Sequence, residues 1–369
     1  MATQKTSAWP LALSMVALIV YASLYPFSDW RNQGLEAWAF LWAPLPRYWT
    51  GFDVVSNLLG YAPLGFFLCL SGLRTGRARH ALLWASVACA LLSFCMESLQ
   101  SFLPVRVASN LDLLLNASGA WLGAASALLL ERMGALARWS RFRAHWFVRD
   151  ARGALVLLSL WPFALLFPPA VPFGLGQVLE RLEAAVGGAL QGTPFLDWLP
   201  LRTVELEPLV PMAEVLCVAL GVLVPCLMGY SVIRLAWQRA LFLIALIAIG
   251  MGATGLSAAL SYGPAHAWGW LSTPVEVGMV LATGLALASV LLPRRGCAAL
   301  ALLALAVALS VLNQAPTSAY FAQTLQTWEQ GRFIRFHGLA QWLGWIWPYV
   351  ALLYVLRRVS GREATGAGP

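Results

Sequence analysis

Residues 81–130 read ALLWASVACALLSFCMESLQSFLPVRVASNLDLLLNASGAWLGAASALLL. Two apolar stretches, 81–102 and 110–130, flank a short polar connection that carries Arg106. Roughly 20 mainly apolar residues are enough for one helix to cross the hydrocarbon core of a bilayer. The segment therefore reads as two antiparallel spanning helices. Similar stretches recur at 9–27, 52–73, 153–169, 212–233, 239–261, 274–292, 297–313 and 338–356. Composition agrees: 60% of the 369 residues are hydrophobic and only 11% are charged, where a soluble domain carries about 25%. The expected fold class is an all-α polytopic membrane protein with about ten transmembrane helices.

A formal net charge of +8 raises the question of nucleic acid, and the distribution answers it. Alternate loops hold Lys5; Arg74, Arg77 and Arg79; Arg132, Arg138, Arg141, Arg143, Arg149 and Arg152; Arg234 and Arg239; Arg294 and Arg295; Arg357, Arg358 and Arg362. Positive residues stay on the cytoplasmic side. The pattern predicts both termini inside and reports topology, so no nucleic-acid partner is expected. The first apolar run ends in Tyr25-Pro26-Phe27 without a small-residue cleavage pattern, and it is read as a retained span. The six cysteines (69, 89, 95, 217, 226 and 297) all fall inside expected spans and read as small packing residues, with no CxxC or disulfide framework.

The expected organisation is a four-helix unit over 1–131, a basic cytoplasmic loop over 132–152, a degenerate second four-helix unit over 153–295, two extra helices over 296–358 and a frayed tail over 359–369. The basic loop reads as a topology anchor or a contact to anionic headgroups. Inside the external loop at 170–211, Val178, Leu179, Leu182, Val186 and Leu190 share a helical face opposite Glu180, Arg181 and Glu183. That is an amphipathic helix suited to the outer interface. A second external loop, 314–337, is polar and aromatic.

Two parallel copies are suggested by matches about 160–164 residues apart. Asp53 matches Glu214, Asp112 matches Glu276, and Arg74 and Arg79 match Arg234 and Arg239. Ser101, Phe102 and Pro104 match Ser261, Tyr262 and Pro264. Parallel repeats are a common way to build membrane proteins.

With alternating topology, the polar residues of the first copy meet at the outer side. Asp53 and Asn57 open span 2, Glu97 and Gln100 close span 3, and Asp112 and Asn116 open span 4. Each acid has an amide three or four residues on, so each pair occupies one helical face. Arg106 sits in the loop between spans 3 and 4. Plainer roles exist for most of these groups. Asp53 and Asp112 fit N-terminal caps, Asn57, Gln100 and Asn116 fit interhelical hydrogen bonds, and Gly119 with Gly123 fits close helix packing. Arg106 fits a counter-charge. Glu97 lies at a helix C-terminus, where the dipole opposes it, and intramembrane carboxylates mark function. The second copy keeps Glu214 and Glu276 but has Ser257, Leu260 and Val280 where the first has Glu97, Gln100 and Asn116. His266 lies near the Arg106 position. The first copy is thus expected to hold the site, with Glu214 and Glu276 able to line the same cavity.

The spacing D-x3-N, P-L-G, E-x2-Q, R, D-x3-N-x2-G is written here by Asp53, Asn57, Pro63-Leu64-Gly65, Glu97, Gln100, Arg106, Asp112, Asn116 and Gly119. It resembles the VanZ-like family over about residues 10–130. The resemblance implies a bacterial inner (cytoplasmic) membrane protein with a role in the cell envelope; the family's namesake is associated with low-level teicoplanin resistance. The additional spans depart from the family's commoner, smaller size.

Three functions are weighed. The first is an enzyme or binding site for a lipid-linked glycan or peptidoglycan precursor. Glu97 then acts as general acid or base, Arg106 holds a phosphate or carboxylate, and Asp53 and Asp112 bind a divalent cation. Asn57, Gln100, Asn116, Glu214 and Glu276 would contact substrate. Three carboxylates beside one arginine repel a phosphate unless a metal or proton intervenes. The second is a transporter or flippase, against which no acid lies near the midplane. The third is a non-catalytic scaffold of a polysaccharide assembly complex. No His/Cys set suggests zinc, and the 18 tryptophans do not discriminate, because interfacial belts explain most of them.

Overall fold

The structure, a computed structural model, describes residues 8–34, 36–76, 78–167, 169–198, 206–316 and 334–360. The tail after Ser360, most of the 314–337 loop and Lys5 lie outside the described residues. The described chain is helical, and an α-helix stands at each of the ten apolar stretches. These are α1 (Ala8–Leu24), α2 (Gly51–Arg74), α3 (Ala81–Gln100), α4 (Asn110–Arg132), α5 (Ala135–Trp146), α6 (Arg152–Ala164), α7 (Leu179–Leu190), α8 (Pro211–Tyr230), α9 (Ala236–Tyr262), α10 (Thr273–Ala288), α11 (Arg294–Leu312) and α12 (Ile334–Ser360), of which α5 and α7 fall between the apolar stretches. Six of them (α2, α3, α4, α8, α9 and α11) are long and apolar enough to cross a membrane by length and composition. Helices α1, α6 and α10 are shorter apolar helices. The 132–152 segment, read as a loop, instead contains α5; its alanines and arginines are strong helix formers. Prolines 63, 162, 225 and 348 sit inside helices, which membrane helices tolerate when neighbouring groups re-satisfy the backbone.

The chain divides into two compact units, Met1–Ala144 and His145–Pro369. In the first unit α2 and α4 pack most extensively, because glycines remove the side chains between them. A Cβ on Gly119 would strike the Leu58 carbonyl, one on Gly123 the Ala62 carbonyl, and one on Gly65 the Ala120 carbonyl. The GxxxG expectation is met in this form: backbones touch where side chains would normally intervene. Helices α1 and α3 pack beside this pair over Tyr61, Leu64, Cys89, Met96, Leu103 and Ala120.

In the second unit α8 is central, flanked by α10 and α11, while α6 and α11 pack on α12. The basic segments of this unit meet at one end. The Val148 N–H donates to the Val232 carbonyl at 3.0 Å, Arg234 Nε donates to the Phe147 carbonyl at 2.9 Å, and Arg358 pairs with Asp150 at 2.8 Å. Arg239, 5% exposed, donates to the carbonyls of Val290 and Leu292 just before Arg294 and Arg295. Of the six cysteines, all without a disulfide, five are buried and Cys95 is exposed.

Candidate functional site

The polar residues of the first unit gather where α1 and α3 end and α2 and α4 begin. Each of these helix ends leaves main-chain groups without intrahelical partners, and much of the polar chemistry here serves them. Thr50 and Asp53 form a capping box at the start of α2. The Thr50 N–H and hydroxyl donate to Asp53 Oδ2 at 2.8 and 2.7 Å, and the Asp53 N–H donates to Thr50 Oγ1 at 3.3 Å. One turn on, Asn57 Nδ2 donates to Asp112 Oδ1 at 2.9 Å, joining α2 to α4.

Glu97 is 3% exposed and Gln100 8%, so the last turn of an apolar helix buries a carboxylate and an amide. The Ser109 N–H donates to Glu97 Oε2 at 2.8 Å. Ser109 is also the N-cap of α4, its Oγ accepting from the Asp112 N–H at 3.3 Å. A single serine therefore connects the carboxylate of Glu97 to the turn that bears Asp112. Burying a carboxylate is costly unless it accepts hydrogen bonds, and a main-chain N–H at a helix N-terminus is a suitable donor.

Arg106 and Gln100 address α1. Arg106 donates to the Tyr25 carbonyl at 2.6 Å and to the Ala22 carbonyl at 3.3 Å, and Gln100 Nε2 donates to the Ser23 carbonyl at 3.2 Å. These are the last carbonyls of α1, where a cation complements the helix dipole. Deeper in the unit, Asn116 Nδ2 donates to Ser93 Oγ at 3.0 Å. Asn116 Oδ1 is buried without a hydrogen-bond partner among the described residues, and the Tyr61 hydroxyl is buried beside Ser93.

The structure thus brings Asn57, Asp112, Ser109 and Glu97 into one connected set, with Asn116 beneath it. Asp53 stands one turn before Asn57 on the same face, engaged in its cap. Arg106 and Gln100 face the end of α1. Glu214 and Glu276 belong to the second unit, in the first turns of the neighbouring helices α8 and α10. In that unit Ser257 donates to the Leu166 carbonyl just past α6 at 2.8 Å. Sequence reasoning missed Tyr61, Ser93, Thr50 and Ser109. Helical spacing would have found the first two, since Tyr61 follows Asn57 by one turn and Ser93 precedes Glu97 by one. The S/T-x-x-D pattern marks the other two.

Among the described residues no group of three or more His, Cys, Asp or Glu side chains is arranged to hold a metal ion.

Residues 3–131, the N-terminal third of the chain, match the family model described as VanZ/LLP1. No curated protein and no solved structure matches the chain.

Proposed function

We propose that the VanZ/LLP1 unit binds or processes a lipid-linked or glycopeptide-related envelope precursor at an outer-leaflet site of a bacterial inner membrane, with Glu97 as the proton-exchanging group. Ten helices cross the membrane, with both termini inside and two parallel four-helix copies followed by two further helices. This topology puts the Glu97–Ser109–Asp112–Asn57 set near the outer boundary. The single supporting observation is the burial of Glu97 at 3% exposure in the last turn of an apolar helix. Ionisable groups in such positions are expensive and usually functional. Asn57 supplies an amide contact to a glycan or peptide headgroup, and Asp53 and Asp112 shape its polar side. Arg106, directed at the α1 carbonyls, positions the first helix against the site.

A second reading, a non-catalytic scaffold, is favoured by the same hydrogen bonds. Glu97, Gln100 and Arg106 all engage main-chain groups of neighbouring segments and so lock the loops together. The Glu97→Gln variant separates the two. Its amide oxygen still accepts from the Ser109 N–H, so the fold is retained while the charge is lost. In cells lacking the wild-type gene, the first reading expects loss of complementation of an envelope-stress phenotype at unchanged protein level. Full complementation by Glu97→Gln would refute proton exchange and leave the scaffold.

A further inference from the structure

A separate cleft lies wholly within the second unit. It is about 40 Å³, and its lining includes Ala164 at the end of α6, Pro169, Gln177, Arg181 on α7, and Gln341 and Trp345 on α12. A cavity of about 10–15 Å³ already holds a water, so this one accepts a small oxyanion.

Two of its lining side chains, Arg181 and Gln341, carry N–H donors. Arg181, half-buried, lies with its guanidinium 4.9 Å from the Trp345 ring centroid. A guanidinium has five N–H donors and no acceptor. Gln341 is 8% exposed, and its Nε2 is buried without a hydrogen-bond partner among the described residues. Burial pushes the Arg181 guanidinium down from its ordinary value, opposed by the neighbouring Glu180 carboxylate.

The walls are held in advance. Asn313 Oδ1 accepts from the N–H groups of Val178 and Leu179, each at 3.0 Å. The Gly176 carbonyl accepts from Asn313 Nδ2 and from the Tyr349 hydroxyl, each at 3.1 Å. The first turn of α7 is thereby fixed with Arg181 turned toward α12, leaving the apolar Leu179 and Leu182 exposed. That orientation suits an interfacial helix whose apolar face meets acyl chains.

We propose that Arg181 and Gln341 bind a phosphate group in this cleft, Arg181 through its planar fork and Gln341 through its buried amide N–H. An anionic phospholipid headgroup and free phosphate share this chemistry. The test is thermal unfolding of the purified full-length protein in neutral detergent. One arm titrates phosphatidylglycerol in mixed micelles, the other sodium phosphate at constant ionic strength. The expected result is a rise of several degrees in the wild-type midpoint. A response to phosphatidylglycerol alone identifies a lipid, and an equal response to phosphate identifies the free anion. Arg181→Gln and Gln341→Leu should each weaken the apparent affinity by about tenfold, the loss of one good hydrogen bond to a charged group. Gln341→Leu keeps every charge and serves if Arg181→Gln does not fold. The proposal is overturned if neither probe shifts the wild-type midpoint, or if both variants respond as the wild type does.

Discussion

The contact between α2 and α4 makes a sharp prediction, because three glycines at that seam face main-chain carbonyls rather than flexible side chains. In Gly119→Ala the new methyl group meets the Leu58 carbonyl, and in Gly123→Ala the Ala62 carbonyl. A comfortable carbon–oxygen contact is about 3.3–3.6 Å, and the space available is well short of it. A main-chain obstacle cannot rotate away, so the two helices must separate. A gap of about 0.5–1 Å already forfeits a quarter to a half of each dispersion contact it opens. The cost of each substitution is expected near the top of the usual overpacking range, about 1–3 kcal/mol. Gly60 is the control, on the same helix α2 with nothing within 4 Å of where an alanine methyl would stand. There an alanine gains helix propensity of up to about 1 kcal/mol. Thermal or denaturant unfolding of the purified protein in detergent should therefore rank Gly60→Ala at or above wild type, with Gly119→Ala and Gly123→Ala clearly below. If Gly119→Ala proves as stable as Gly60→Ala, the backbone contact between α2 and α4 is not what holds the unit together.

Other perturbations follow from single bonds. Asn57→Leu removes the 2.9 Å bond to Asp112 and should cost about 0.6 kcal/mol, at most about 1.7, measured by unfolding in detergent. Thr50→Ala breaks the capping box of α2 and should lower stability by about 0.5–2 kcal/mol, while Thr50→Ser should restore most of it. Asn313→Ala frees the N–H groups of Val178 and Leu179; hydrogen exchange at the start of α7 should accelerate, with little change in α8. Arg239→Leu leaves the carbonyls of Val290 and Leu292 without their donor and should destabilise by about 1–3 kcal/mol, read as a lower unfolding midpoint.

Much of the fold is legible in the sequence because crossing a bilayer is a one-dimensional demand. Length and apolarity mark a span, so helices stand where apolar runs do, from Ala8–Leu24 to Ile334–Ser360. Helical period is local too, which is why pairing each acid with an amide one turn away identified faces such as Asp53 with Asn57. The α5 helix was not legible as a helix, because an arginine-rich segment between spans satisfies topology whatever its backbone does.

Partner choice was beyond the sequence. Nothing in the spacing of Glu97 says that its carboxylate accepts from the Ser109 main chain, twelve residues on, or that Arg106 turns to carbonyls of α1. Those choices depend on how each helix is rotated about its axis and how closely it approaches its neighbour. Rotation and approach are set by packing across the whole seam, above all by Gly65, Gly119 and Gly123 against opposing backbone. The sequence determined which residues are polar and at which end of the apolar helices they stand; the tertiary structure decided which of them touch, since contact is a property of two surfaces and periodicity describes only one.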